Sequence, residues 1–499
     1  MKSTILKIFI LIVGFTFASC DKIELLNENP NEPSVVNSSV LMTSGMRTMV
    51  NSSVNQSFLL GNNAAQLTAK TVRTEVDVYN WNAFPVVWDE MYTGLRNVIE
   101  AEQLAESNGN EKMQGATIVM KSWAFSVLTN AYGDIPYSES ITGVMSGNFT
   151  PAYDAQSEIY NGANGLLAEL ERAVTLLNGS GSVSGDIIFN NNATKWVKFA
   201  NSLRLRLLIQ ISNKQDVTAE IATLVNSDLL ASNNDNAAVT YTGNFPNEFP
   251  LLPLKTGDFD AVVLGTIAYD VMTGYNDPRL IRYARPNDGD YTNVALTNFS
   301  GATNGSESPV ACPKNGSRLG SAYYDYPSQT RASALGVDRA EAVLMTYAEV
   351  EFLLAEAALK GYTSGSTEDH YKAGIQASMS YHQVDLATFG YTDFNNYYNT
   401  SGVAYDEAID VWEQKWLALF FHGLEPYFEV RRWLAESNND FDAIRFLQPT
   451  CQNTNNDLLP TRFLYPGEEQ SLNNENYQMA IDQLGGTNGF NAKMWLLDF

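Results

Sequence analysis

The chain has 499 residues, with 31 Lys and Arg against 56 Asp and Glu, a formal charge of −25 at pH 7 and a mean hydropathy of −0.19. A surface this acidic repels phosphate backbones, which argues against nucleic acid as a partner. The three histidines, His370, His382 and His422, have no companions at ligand spacing, so neither a metal centre nor a cofactor is expected.

Lys2 and Lys7 open the chain and are followed by an apolar and small-residue run, Ile8–Phe17, that closes on Ala18-Ser19-Cys20. Ten helical residues reach about 15 Å, half a bilayer core, so the run reads as a signal-peptide h-region and not a membrane span. A cysteine directly after small residues resembles the lipobox of bacterial lipoproteins, with Phe17 where Leu is usual. The expectation is a lipoprotein signal peptide over 1–19, a lipid on Cys20, and a polar tether over 20–33 ending in Asn29-Pro30-Asn31-Glu32-Pro33. Without Lys2 and Lys7 the balance is 29 basic against 56 acidic residues, −27. No other stretch is apolar enough to span a membrane, so attachment through the lipid alone is expected.

Residues 34–499 read as one domain. Val35–Val54 is the first helical pattern. Ala83–Ser107 follows, with Val87, Met91, Leu95, Val98 and Leu104 near a 3.6 period, and Glu111–Ala131 resumes after Asn108-Gly109. Tyr153–Leu177 and Thr194–Ser212 flank a Gly/Ser/Asn loop, and Val217–Leu230 is shorter. Val343–Lys360 with Glu368–His382, and Ala404–Phe421 with Glu425–Glu436, complete the set. Paired amphipathic helices with short breaks predict a mostly α fold, a tetratricopeptide-like array of helical hairpins, although the strict repeat consensus is absent. Two stretches, 237–341 and 448–474, are rich in Gly, Asn, Pro, Asp and Tyr and lack helical period apart from Ile267–Thr273. They are expected to form an irregular, loop-rich second layer that carries function. Cys312 and Cys451 lie in this layer, as a disulfide or as two free thiols.

Six segments in order resemble the SusD/RagB family of nutrient-binding outer-membrane lipoproteins of Bacteroidetes. They are Tyr132-Gly133-Asp134-Ile135-Pro136-Tyr137, Trp196–Leu207, Asn276-Asp277-Pro278-Arg279, Thr346–Gly361, Gln414–Arg432 and Arg462–Tyr477. The resemblance implies about four tetratricopeptide-like helix pairs holding a loop-rich lid. It also implies a place on the cell surface over a SusC-like TonB-dependent transporter, to which oligosaccharide, or peptide in some branches, is delivered.

Sugar binding in water needs flat aromatic faces with amide and charged groups at the rim. Tyr79, Trp81 and Asn82, just before the Ala83 helix, are one candidate cluster, with the alternative that Trp81 staples that helix. Tyr323, Tyr324 and Tyr326, flanked by Arg318 and Arg331, form a second, with loop packing as the alternative; Arg331 joins the candidate ligand contacts. Phe245–Phe249 reads as lid packing, and Trp88 and Tyr92 as helix packing. Asp134 is expected to accept backbone N–H groups. Arg204 and Arg206 call for buried partners such as Glu349, Glu351 or Glu356, and Arg431-Arg432 reads likewise beside Glu429. No catalytic residue is proposed, since no G-x-S-x-G or metal-ligand motif appears. A peptide receptor of the same fold is the alternative function; a surface glycoside hydrolase, which would need two suitably spaced carboxylates, and a bare scaffold rank behind it.

Overall fold

The computed structural model describes residues 37–241, 247–320 and 341–498; the expected signal peptide, Cys20 and the expected tether lie outside them. Helix α1, Ser38–Gln56, starts where the Asn37 side chain accepts the Ser39 N–H. It runs through a π-helical turn, Ser57–Gly61, to Ala64, and β1, Thr68–Lys70, follows. Helix α2, Pro85–Ser107, buries Val87, Met91, Leu95 and Val98 of the predicted stripe, while Leu104 is only half-buried and Ala101 and Ala105 complete the buried face. Its Gly94 meets Gly45 of α1 so closely that an added Cβ at Gly94 would lie 2.3 Å from Met49 Cγ. Helix α3, Glu111–Tyr132, is capped by Asn110 and is buried nearly all round, as befits a central element.

Helices α4, Leu166–Leu177, α5, Ala193–Gln210, and α6, Thr218–Leu224, follow, then β2, Ala237–Thr240, β3, Val262–Leu264, and β4, Glu341–Met345. The array continues with α7, Tyr347–Leu359, α8, Thr367–Tyr381, α9, Ala408–Ala418, and α10, Glu425–Glu436. Each of α1 to α5 packs on the next; α5 packs on α7, which also contacts α8 and α9, and α9 contacts α10. The predicted mostly helical array is therefore present. Among the described residues no helix is long and apolar enough to cross a membrane.

Four predicted boundaries need correction, one of them the end of α6, expected at Leu230 and found at Leu224. The pattern over Tyr153–Leu177 is broken at Gly162 and Gly165, where a Cβ on Gly165 would lie 2.8 Å from the Gly162 nitrogen. Residues 341–345 pair as a strand with β2, so α7 begins at Tyr347 under a Thr346 cap. Helix α9 begins at Ala408, where Glu407 and Asp410 form a capping box. In the second layer β1 pairs antiparallel with β3, Thr68 opposite Leu264.

Buried ion pairs join the helices. Arg206 reaches Glu349 at 2.6 Å, with side chains 4% and 0% exposed. Arg432 holds Glu356 and Glu429, each at 2.7 Å, and Lys415 also reaches Glu429 at 2.7 Å. Burial pushes the Glu429 carboxyl up, but Arg432 and Lys415 outweigh it and hold the group well below the usual carboxylate range. Arg204, expected to be buried, is half-buried and pairs with the exposed Glu171 instead. Arg431 donates to the Asn130 carbonyl near the C-terminus of α3, where a cation meets the negative end of the helix dipole, and to the Thr461 carbonyl. Asp134 accepts the Gln156 N–H at 2.7 Å.

Candidate functional site

The segment 66–84 links β1 to α2 and has an unusual backbone. Gln66, Arg73, Tyr79 and Phe84 all have positive φ, between 44° and 60°. Each such residue costs about 1–3 kcal/mol and persists only where its surroundings over-determine it, a pattern concentrated at functional sites. Here the surroundings are explicit. The Lys70 N–H donates to Asp77 Oδ2 at 2.9 Å, and the Trp81 indole N–H donates to the Val76 carbonyl at 3.1 Å. The Trp81 ring packs on Tyr427 and Phe463, with centroids 5.0 and 5.5 Å away.

The structure corrects the first aromatic cluster. Tyr79 and Trp81 are 1% and 4% exposed, so neither ring presents a face to solvent. They anchor the segment, and the alternative reading of Trp81 as a staple describes its position. Asn82 is exposed, and its Oδ1 accepts the Phe84 N–H at 2.9 Å. Phe84, the last aromatic of the stretch 79–84 from which stacking is expected, is half-buried before the helix-opening Pro85. Tyr323, Tyr324, Tyr326 and Arg331 lie outside the described residues. Phe249 is fully buried, and Arg318 pairs with Asp260 at 3.1 Å.

Asn82 and Phe84 open onto a cleft of about 390 Å³. One wall comes from α1 and the π-helical turn, through Ser52, Asn55, Gln56, Leu59 and Leu60. Lys70, Glu75 and Val76 come from the strained segment, and Pro85, Val86, Val87 and Glu90 from the start of α2. Leu59 and Val86 are 46% and 57% exposed, large apolar groups left in solvent at the mouth. The turn's shape has a local cause. A Cβ on Gly61 would lie 2.1 Å from the Gly423 carbonyl oxygen, and Ser57 Oγ accepts the Gly423 N–H at 2.6 Å.

Charge beneath the cleft is tuned by burial. Desolvation pushes Asp77 up to about 7 against the Lys70 N–H bond and the Lys314 and Lys70 ammonium groups. Burial also lowers Lys70, which Asp77 and Glu75 partly offset. The result is an apolar floor rimmed by amides and a few charges, suited to a ligand with flat apolar faces and a hydrogen-bonding edge. Among the described residues no group of His, Cys, Asp and Glu is arranged to hold a metal. A larger cleft of about 740 Å³ between α4, α5 and α6 includes Glu171, Asn178, Arg204, Glu220 and Asp228, and no aromatic side chain lines it.

Cys312 and Cys451 form a disulfide, with Cα atoms 5.8 Å apart. It joins two loops of the second layer beside the strained segment.

Comparison with known proteins places these features in a wider set. The profile of the SusD-like family described as "Starch-binding associating with outer membrane" matches residues 30–466. Nothing among curated proteins matches the chain. A SusD homologue from Bacteroides fragilis is 25% identical, with a TM-score of 0.74 over 93% of this chain and 100% of the other. A second B. fragilis homologue is 22% identical, with a TM-score of 0.75 over the same shares. A SusD homologue from Flavobacterium johnsoniae, described as chitin-binding, is 20% identical, with a TM-score of 0.70 over 92% and 98%.

Proposed function

The chain belongs to the SusD-like family, and from that premise we propose that it is a cell-surface lipoprotein that captures oligosaccharide and passes it to a SusC-like TonB-dependent transporter. The observation that carries the reading is the cleft at Phe84. It combines a strained, heavily braced segment with exposed Leu59 and Val86 and the amides of Asn55, Gln56 and Asn82. Sugar rings bury their C–H faces on such a floor and direct hydroxyls to such a rim. The loop residues Tyr323, Tyr324, Tyr326 and Arg331 keep the ligand-contact role expected from the sequence. Peptide is the second reading, favoured by Lys70 together with Glu75 and Glu90 in the same cleft, which match the two charged ends of a short peptide.

The test is binding of residues 21–499 to a panel of maltoheptaose, chitohexaose, other glycans and short peptides. Phe84→Ala should weaken the bound oligosaccharide about ten- to a hundredfold, since a flat ligand–aromatic contact is worth ~1–3 kcal/mol. Asn82→Ala and Tyr324→Ala should each weaken it less or equally, with melting temperatures near that of the wild type. Capture of peptides alone moves the protein to the second reading. Release of new reducing ends from a bound glycan, abolished by one Asp or Glu substitution, would make it an enzyme.

A further inference from the structure

We infer that the Cys312–Cys451 disulfide is a positioning element of the cleft, locking together two loops that brace the strained segment 66–84 at different points. Neither cysteine lines the cleft. The inference rests on the binding reading above only for its affinity measurement.

The first loop holds the segment through side chains. Asn304 Nδ2 donates to the Thr68 carbonyl at 2.8 Å and to the Asn63 carbonyl at 3.3 Å, and Glu307 Oε1 accepts the Arg73 N–H at 2.6 Å. The second loop holds it elsewhere. The Gln448 carbonyl accepts Gln66 Nε2 at 2.6 Å, and the Val78 carbonyl accepts the Thr454 N–H at 2.8 Å and its hydroxyl at 3.1 Å. Two of the residues gripped, Gln66 and Arg73, are themselves strained, Thr68 opens the strand between them, and Val78 precedes the strained Tyr79.

The two loops meet at the disulfide. The Cys451 N–H donates to the Asn304 carbonyl at 2.8 Å, and the Ser306 N–H donates to the Cys451 carbonyl at 3.1 Å. Gly305 fits between them only without a side chain, since a Cβ there would lie 2.1 Å from the Cys451 carbonyl oxygen. The cysteines are 139 positions apart in sequence, so the covalent bond supplies a constraint that chain connectivity does not. Without it the two loops are held together by a few hydrogen bonds, and the segment that opposes its own backbone preferences loses its clamp.

A generic staple would stabilise the whole molecule and leave the cleft no more sensitive than the helices. Amide hydrogen exchange on the Cys312→Ser/Cys451→Ser double variant distinguishes the two. Exchange over 66–84 should accelerate at least tenfold while α3 keeps its wild-type protection. Asn304→Ala, with the disulfide intact, should reproduce the acceleration over 66–75 and keeps the test decisive if the double variant fails to fold. Whichever of maltoheptaose or chitohexaose binds the wild type should bind both variants about tenfold more weakly, measured 20 °C or more below each melting temperature. Equal acceleration in α3, or unchanged exchange in Asn304→Ala, overturns the inference. If the wild type binds neither sugar, the exchange measurement decides alone and only the ligand assignment falls.

Discussion

Trp81 and Phe84 are three positions apart and belong to one aromatic cluster, their ring centroids 5.8 Å apart and both packed on Phe463, yet Trp81 is buried and Phe84 is half-buried at the cleft. The run Tyr79-Asn80-Trp81-Asn82 alternates aromatic with polar, and the structure keeps that alternation: the two rings lie inside and the two asparagines outside. What alternation could not say is which face meets solvent. The answer depends on Tyr427 and Phe463, about 350 and 380 positions away, which fill the space against the Trp81 ring. Trp81→Ala should therefore cost about 3–5 kcal/mol in chemical denaturation, as a buried Trp does, instead of acting as a selective affinity mutation. Wild-type stability with a specific loss of binding would return Trp81 to the ligand. Asp77 yields a pH-dependent counterpart. Its folded pKa of about 7 exceeds the ordinary 3.8, so the native state binds the extra proton. The stability this confers is complete below about pH 4 and is lost as pH rises towards 7, by up to about 4 kcal/mol. Asp77→Asn keeps an acceptor for the Lys70 N–H and removes the charge. Its melting temperature should exceed the wild type's at pH 8 and match it near pH 4; an equal difference at both pH values contradicts a carboxyl that titrates near 7.

The helices are legible because what makes them is local. Asn110, Asn192, Thr346 and Ser366 each cap the helix they precede, and the stripe on α2 repeats within one turn of itself. The strands are not legible, since three to five residues carry little period and their partners are distant. Residues 341–345 show the cost: an apolar run next to a helix reads as its first turn until β2 is there to pair with it. Ionic partners fall between these cases. The need of Arg206 for a buried acid is legible, and Glu349 is among the named candidates. The outward turn of Arg204 towards Glu171 follows from its place on α5, visible only once α4 lies beside it. Arg432, bonded to Glu356, Glu429 and Glu436, is the element-scale test. Arg432→Met leaves buried carboxylates without their shared cation and should lower stability by about 3–5 kcal/mol, read from the urea midpoint at constant slope. A near-neutral result would mean that Lys415 and Lys360 suffice to hold the cluster.

At the scale of the molecule, attachment and recognition are separable. The lipid expected on Cys20 and the cleft at Phe84 share no residue, so Cys20→Ala should leave the outer-membrane fraction in cells lacking the transporter while the purified variant binds glycan as the wild type does. Retention of that variant in the membrane would refute the lipid anchor. The division into a helical layer and a loop-rich layer was readable from composition, and six short segments were enough to suggest the family. The cleft was not readable, because it is assembled from α1, a π-helical turn, a loop and the mouth of α2. Its braces include loops 303–313 and 448–457, far along the chain. The β1–β3 pairing also bears on time. Helix α2 meets α3 across a three-residue turn, a closure that happens early, whereas Thr68 must wait for Leu264, nearly two hundred positions later. A refolding molecule should therefore regain its helical signal before β1 finds β3, and ligand binding should return after that pairing, a delay that stopped-flow circular dichroism against binding of the ligand would measure.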